Sequence, residues 1–242
     1  VDVKVNGLGF GDYVYSAISG TGRVEGNTYL AEVNSDDPNL EFGMFASVDM
    51  ARELPAYAIS MDLRRADLQA LGFNRRDSVS VLSASIGAEI AGREIEDMDG
   101  SISIANGQYS YPGGDVSLDR LRIDFESGNR KKMVRLESEY FTLDYMSPSS
   151  YREVYDYIYN SLKTYVPLLY DNSSHITTDG GANNPNDYTA ITFHAGDGVN
   201  ELLDALAGGL VIAPDTEMAI MFNPKSNNLS LQGSSEALEY SG

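Results

Sequence analysis

The stretch that decides the fold is residues 99–127, which read DGSISIANGQYSYPGGDVSLDRLRIDFES. Apolar residues alternate with serines or charged residues in two runs, Ile102–Ile104 and Leu121–Phe125. This period of two predicts β-strands with one apolar and one polar face. The intervening Pro112–Gly114 predicts a turn. The stretch therefore predicts two antiparallel strands that carry their apolar side chains on one face.

The same alternation extends outward in both directions. Upstream, Leu40–Met50 places an apolar residue at every even position, with Phe45 as an exception on the other face. Since short turn signals separate the runs, the chain as a whole predicts an antiparallel meander. The further runs are Tyr57–Leu63, Leu82–Ile90, Val134–Leu136, Phe141–Tyr145 and Met218–Phe222.

Local deviations from the alternation give further predictions. Asn106-Gly107 and Ser127-Gly128-Asn129 are turn-forming sequences, and both are interpreted as turns. The parity of the apolar positions changes between Leu136 and Phe141. This change predicts a β-bulge or a crossing of faces at that point.

About three short amphipathic helices are predicted among the strands. Ser150 and Glu153 form a capping box that opens a helix over about 150–166, which Pro167 ends. A shorter helix is predicted over 66–71, and a third is predicted to begin near Asp197. The third helix is predicted to carry Val199, Leu202, Leu203 and Leu206 on one side and to stop at Gly208-Gly209.

The fold class that follows is mainly β, with an elongated, curved antiparallel sheet. The polar segment 171–187 is the only candidate linker, because it is rich in Asn, Ser, Gly and Thr. It predicts a first β module over 1–170, ending in the 150–166 helix. A second module over 171–242 then holds the linker, further strands and a short helix. One continuous elongated array is the alternative organisation.

Composition argues against several functions. Lys and Arg number 17 against 36 Asp and Glu, and a net charge of −19 opposes binding to nucleic acid. Cysteine is absent, and neither His175 nor His194 lies in a recognised catalytic spacing. We therefore expect no catalytic residues, no cofactor and no metal, and so no enzyme. The oxygen-rich loop 179–187 leaves a calcium site open.

Two polar features leave alternatives open. The basic run Arg130-Lys131-Lys132 is interpreted as a solvated hairpin tip or as a contact for a lipid headgroup. Eight of the 16 tyrosines lie between residues 140 and 170. They are interpreted as core packing or as part of a ligand or membrane interface.

Several segments resemble the TamB family of the AsmA-like superfamily, in its Bacteroidetes form. They are 36–40, 95–104, 116–123, 133–140, 165–167, 210–218 and 227–231. The resemblance implies an internal fragment of a periplasmic bridge that is anchored in the inner membrane. It also implies a long sheet curled into a groove with an apolar concave face, called a β-taco. Family members are linked to phospholipid movement and to outer-membrane protein assembly, and have no catalytic residues.

With this resemblance, the alternating strands predict an apolar groove that holds phospholipid. The implied protein partner is an outer-membrane assembly protein of the BamA-like class, bound through parts of the parent outside this chain. Supporting assembly by offering strand edges to a client is a second role within the family. A closed core on the same face, and a noncatalytic periplasmic or surface binding module such as an adhesin or glycan binder, are the alternatives. The predicted groove residues are Phe42, Met44, Ile102, Ile104, Ile123, Phe125, Leu136, Ile220 and Phe222.

Overall fold

A computed structural model describes residues 1–128, 131–165, 188–224 and 228–240. The described chain is mainly β, as predicted, and 13 of its strands form one antiparallel sheet. The strands are β1 (Asp2–Val5), β2 (Leu8–Phe10), β3 (Tyr13–Tyr15), β4 (Ile18–Glu25), β5 (Thr28–Asp37), β6 (Leu40–Asp49), β7 (Ala56–Asp67), β8 (Val81–Ala91), β9 (Asp99–Tyr111), β10 (Gly114–Ser127), β11 (Lys132–Ser138), β12 (Phe141–Ser147), β13 (Thr189–Ala195), β14 (Leu210–Ile212), β15 (Glu217–Asn223), β16 (Asn228–Ser234) and β17 (Leu238–Tyr240).

The sheet is a meander, in which each strand from β4 to β13 pairs with the next strand along the chain. β1 adds to β4 at one edge, and β15 and β16 follow β13 at the other. Two small ladders lie outside the sheet, β2 with β3 and β14 with β17. β12 pairs with β13, so the strands on both sides of residue 170 form one continuous array.

Two of the predicted helices are present. α1 (Tyr151–Tyr165) begins at the predicted capping box, where Ser150 Oγ accepts the Glu153 N–H at 3.1 Å and Glu153 Oε2 accepts the Ser150 N–H at 2.9 Å. α2 (Val199–Ala207) ends at Gly208 as predicted. Its buried side differs by one position, because Ala205 is buried and Leu206 is exposed.

The prediction of a helix over 66–71 is wrong. Strand β7 continues to Asp67, and a turn follows in which the Asp67 carboxylate accepts the Ala70 N–H at 3.0 Å. Gly72 then takes a positive φ of 82°, which ends any helical path. The apolar spacing that suggested a helix instead buries Leu71 against Tyr15 and Leu63.

The prediction of a turn at Asn106-Gly107 is also wrong, because both residues lie within β9. Asn106 has a φ of 53°, and the pairing of β8 with β9 shifts register between Ser83 and Ser85. A second register shift lies in β7, between Leu63 and Ala66. Asn-Gly suits a left-handed backbone in a bulge as well as in a turn. Such bulges bend strands and increase the local twist, which supports a curved sheet.

The parity change near residue 140 comes from a hairpin and involves no bulge within a strand. β11 and β12 are joined by Glu139 and Tyr140, and the register places Leu136 directly opposite Leu143. These two leucines therefore lie on the same face of the sheet. The apolar residues of β11 have even numbers, and the apolar residues that continue the same face on β12 have odd numbers.

Buried side chains among the described residues form four separate clusters. The first surrounds Leu63 beneath the β2–β3 hairpin, and the second surrounds Val116 and Tyr140 beside α2. The third lies between α1 and β15, and the fourth packs α2 against β13 and β14. Each cluster forms where a helix, turn or hairpin covers part of the sheet.

Candidate functional site

One face of the sheet is apolar across most of its width. Directly paired residues of antiparallel strands share a face, so the register identifies its rows. One row runs through Met44, Met61, Ile86, Ile104 and Leu121. The neighbouring row runs through Ala46, Ile59, Ala88, Ile102, Ile123, Leu136, Leu143, Phe193 and Met218.

The nine predicted groove residues all lie on this apolar face. Phe42 and Met44 occupy β6, whereas Ile220 and Phe222 lie far along the sheet on β15. The other five lie on β9, β10 and β11, where Ile102, Ile123 and Leu136 are directly opposite one another. The sequence reasoning missed their partners Met61 and Ile86, which the alternation in β7 and β8 does contain.

Exposure differs among the nine residues. Eight of them are half-buried, because their flanks pack against cross-strand neighbours while their outer surfaces stay accessible. Phe222 alone is fully buried, with 1% of its surface exposed. Near the β1 edge, Val3, Val5, Ile18 and Val33 line a shallow apolar cavity of about 290 Å³.

The opposite face of the sheet is polar. Arg122 pairs with Asp124 at 2.6 Å on the same strand, and Arg135 lies 3.7 Å from Asp144 on the next strand. Exposed pairs of this kind contribute little to stability, but they keep the face hydrated. Phe45 is 48% exposed on this face, as its odd position predicted. The two faces therefore have opposite chemistry.

Helix α1 covers the apolar face over β12, β13 and β15. Val154, Tyr157 and Ile158 pack on a patch that includes Phe222 and Ile220. The rings of Tyr157 and Phe222 stack with their centroids 4.7 Å apart and their planes within 6°. This part of the face is a small closed core.

The β2–β3 hairpin covers one end of the apolar face near β6 and β7. Tyr15 on β3 is buried against Leu63 and Ala66. Asp37 fixes the hairpin, since its carboxylate accepts the Tyr13 hydroxyl at 2.6 Å and the Ser16 N–H at 2.7 Å. Burial alone would raise the pKa of Asp37. These hydrogen bonds, with another from the Asn39 N–H, outweigh burial and lower the pKa to about 2.

A polar cluster lies at the opposite end of the apolar face, where α1 begins. Lys132 is opposite Ser127 and Ser147, so it shares the face of Val134 and Leu136. Its Nζ lies 3.1 Å from Glu96 Oε2, and only 17% of its side chain is exposed. Glu96 also accepts the Tyr151 N–H, at 3.0 Å, at the first residue of α1.

Two tyrosines complete this cluster. The Lys132 Nζ lies 5.8 Å from the centre of the Tyr151 ring, which stacks on Tyr145 with centroids 5.8 Å apart. The Tyr145 hydroxyl is buried, and the hydroxyl group that interacts with it is that of Ser147 on the same strand. Burial raises the pKa of both tyrosines, so both remain neutral and able to donate a hydrogen bond near pH 7.

The described part of the chain contains no group of three or more His, Asp or Glu side chains arranged to hold a metal. His194 is half-exposed, 3.9 Å from Asp215 and 3.8 Å from Glu217. His175 and the possible calcium loop 179–187 lie outside the described residues, as do the linker 171–187 and Arg130. No described helix is long and apolar enough to cross a membrane.

Comparison of the chain with protein-family models, with curated proteins and with solved structures finds no match in any of the three sets.

Proposed function

We propose that this chain is a segment of a TamB-like intermembrane bridge that carries phospholipid along its apolar face. The observation that supports the proposal best is the accessibility of that face. An ordinary β-sandwich would bury Met44, Ile102 and Ile123 beneath a second sheet. Here they are only half-buried, on a face that continues from strand to strand. A contiguous apolar face that no second sheet covers is typical of a ligand or interaction site.

The chemistry of the face suits an acyl chain. Each CH₂ group that leaves water contributes roughly 0.8 kcal/mol, so a chain of about sixteen carbons is held firmly in total. No single contact dominates, because Ile, Leu, Met and Val offer similar dispersion contacts along a row. Methionines such as Met44 and Met61 adapt to irregular ligand shapes. The ligand can therefore slide along the face.

The cellular setting of the proposal rests on the sequence resemblance. It includes a periplasmic location within a parent anchored in the inner membrane. It also includes support of outer-membrane protein assembly, with a BamA-like partner that binds other parts of the parent. The proposed segment has no enzymatic activity. The curved sheet with one apolar face is the feature of the structure that agrees with this setting.

The test is native mass spectrometry of the purified chain, with lipid extraction from the same sample. We expect co-purified phospholipid with the unmodified chain and little or none with Ile123→Asp. A carboxylate at that position would have to lose its hydration to contact an acyl chain. Circular dichroism of the variant checks that the sheet still forms.

Ser103→Asp is the matched control. Ser103 lies on β9 beside Ile102 but faces the polar side, opposite Arg122. The Ser103→Asp substitution adds the same charge as Ile123→Asp and should leave the amount of bound lipid unchanged. Equal lipid loss in both variants would contradict the proposal, as would an unmodified chain that takes up no lipid. Loss of β-structure in Ile123→Asp would mean that the face is a closed core.

A further inference from the structure

We propose that strand β16 is an interface at which a second copy of this chain adds its own β16 in antiparallel orientation. β16 is the last strand of the 13-stranded sheet, and in the described part of the chain no strand pairs with its outer side. Every residue of β16 is exposed. The outward-pointing N–H and C=O groups of such an edge can pair with another strand. This inference does not depend on lipid binding.

The two edges of the sheet differ in how they are protected against such pairing. β1, at the opposite edge, has only four residues and carries charges on Asp2 and Lys4. Short edge strands and charged side chains are common means by which proteins keep their sheet edges from pairing. β16 has seven residues, with the sequence NLSLQGS, and contains neither a charged residue nor a proline. β16 therefore lacks the protections that β1 has.

β16 also exposes two large apolar side chains at the edge of the sheet. Leu229 is 49% exposed and Leu231 is 69% exposed. In the pairing of β15 with β16, Leu229 is opposite Phe222 and Leu231 is opposite Ile220. Directly opposed residues share a face, so the two leucines extend the apolar face to the edge. A strand that covers them must therefore carry apolar residues at alternate positions.

A second β16 meets this requirement in one antiparallel register. When Ser230 lies opposite the partner's Ser230, Leu229 lies opposite the partner's Leu231 and Leu231 opposite the partner's Leu229. Four leucines then meet in two cross-strand pairs on the apolar side of the sheet. The same contacts occur on both copies, as two-fold symmetry requires. The apolar faces of the two copies continue into each other in this arrangement.

The charge of the chain also favours this edge for self-association. The chain has a net charge of −19, so many contacts between two copies would bring acidic residues together. β16 itself is uncharged, and on β15 the charged residue Glu217 is opposite Ser234, at the end of β16. In the proposed register the Glu217 side chains of the two copies lie at opposite ends of the interface. The repulsion between the two copies is therefore small at this edge.

Sedimentation velocity of the full, delipidated chain tests the proposal in about 0.15 M salt, where charges more than about 8 Å apart are largely screened. A narrow interface is typical of weak complexes, so we expect a dimer at about 100 µM and a monomer after roughly hundredfold dilution. Leu231→Lys should weaken the dimer about tenfold or more, because the ammonium group would lose its hydration in the interface.

Val3→Lys is the matched control, because it makes the same kind of change at a 50% exposed residue on the opposite edge strand, β1. It should leave the dimer unchanged, and circular dichroism of both variants checks that the sheet still forms. A chain that is monomeric at every concentration would overturn the proposal. A dimer that Leu231→Lys leaves unchanged would also overturn it, since the copies would then associate through another surface.

A single introduced cysteine tests the register, because the chain contains no cysteine of its own. Opposed residues of antiparallel strands have Cα atoms about 4.5–5.5 Å apart, which a disulfide can span. Ser230→Cys should therefore form a cross-linked dimer under mild oxidation. Ser234→Cys, also on exposed β16, is the control, because its two copies would lie about 27 Å apart at roughly 3.4 Å per residue. Equal cross-linking of the two variants would overturn the proposed pairing.

Discussion

The apolar face behaves differently in two regions of one sheet. Over the middle of β5 to β11, which we call the open region, side chains such as Met44 and Ile123 are only half-buried, whereas the β2–β3 hairpin and α2 cover the face at one end of these strands. Over β12 to β15, the covered region, α1 packs on the same face and buries Phe222 completely. Both regions have the same period-two alternation. Alternation therefore fixes which face is apolar, whereas an added helix decides whether that face becomes a core.

The largest expected effect is a difference in how much stability is lost when a side chain is truncated in each of the two regions. Phe222→Ala should lower the free energy of unfolding by about 3–4 kcal/mol, because it leaves a cavity beneath Tyr157. Ile123→Ala in the open region should cost about 1 kcal/mol, since its side chain already contacts water. Urea denaturation of the two variants measures both values. Equal losses would mean that the open region is packed as tightly as the covered one.

A smaller effect is expected where the β2–β3 hairpin meets the open region. Asp37→Asn should lower the free energy of unfolding by about 2 kcal/mol near pH 7, because the hydrogen bonds stabilise the ionised carboxylate. The folded pKa of Asp37, about 2, lies below the ordinary value of 3.8. This stabilisation is therefore complete above about pH 4 and is lost as the pH falls toward 2.

Urea denaturation of the unmodified chain and of Asp37→Asn, at pH 7 and again near pH 2.5, checks this prediction. The difference in free energy of unfolding between the two proteins should be smaller at the lower pH. A constant difference would show that the carboxylate charge is not what fixes the hairpin.

The smallest effect concerns the start of the covering helix. Ser150→Ala removes the side-chain acceptor of the Glu153 N–H and should cost about 1 kcal/mol. Ser230→Ala, on the exposed strand β16, is the control and should be nearly neutral. Thermal unfolding followed by circular dichroism compares the two. If Ser150→Ala unfolded at the same temperature as Ser230→Ala, the stability of the covered region would not depend on the cap at the start of α1.

Much of the sheet could be predicted because period two is a strong local signal. The alternation in Leu40–Asp49 identified both the strand and its apolar face, and the capping box located the start of α1. The bulge at Asn106 could not be predicted, because Asn-Gly favours the same positive φ in a turn and in a bulge. Only pairing with β8 and β10 distinguishes the two, and pairing is a tertiary property.

The candidate site was predictable in part for the same reason. Alternation placed nine residues on one face, but it contains no information about which of them a helix will cover. Lys132 was interpreted with its basic neighbours as part of a hairpin tip. The sequence did contain the signal that separates it from Lys131, because Lys132 shares parity with Val134 and Leu136. Its contact with Glu96 depends on chain segments 36 residues apart, which no local pattern reveals.

The order of the strands also has a consequence for how the molecule assembles. From β4 to β13, each strand pairs with the next strand along the chain, so most pairing joins residues close in sequence. Short loops have a small closure entropy, and contacts of this kind favour rapid folding. Such an array resembles a repeat protein, in which structure nucleates at one place and spreads to its neighbours. The exception is the step from β12 to β13, which must wait until the 41 residues between Ser147 and Thr189 have brought the two strands together.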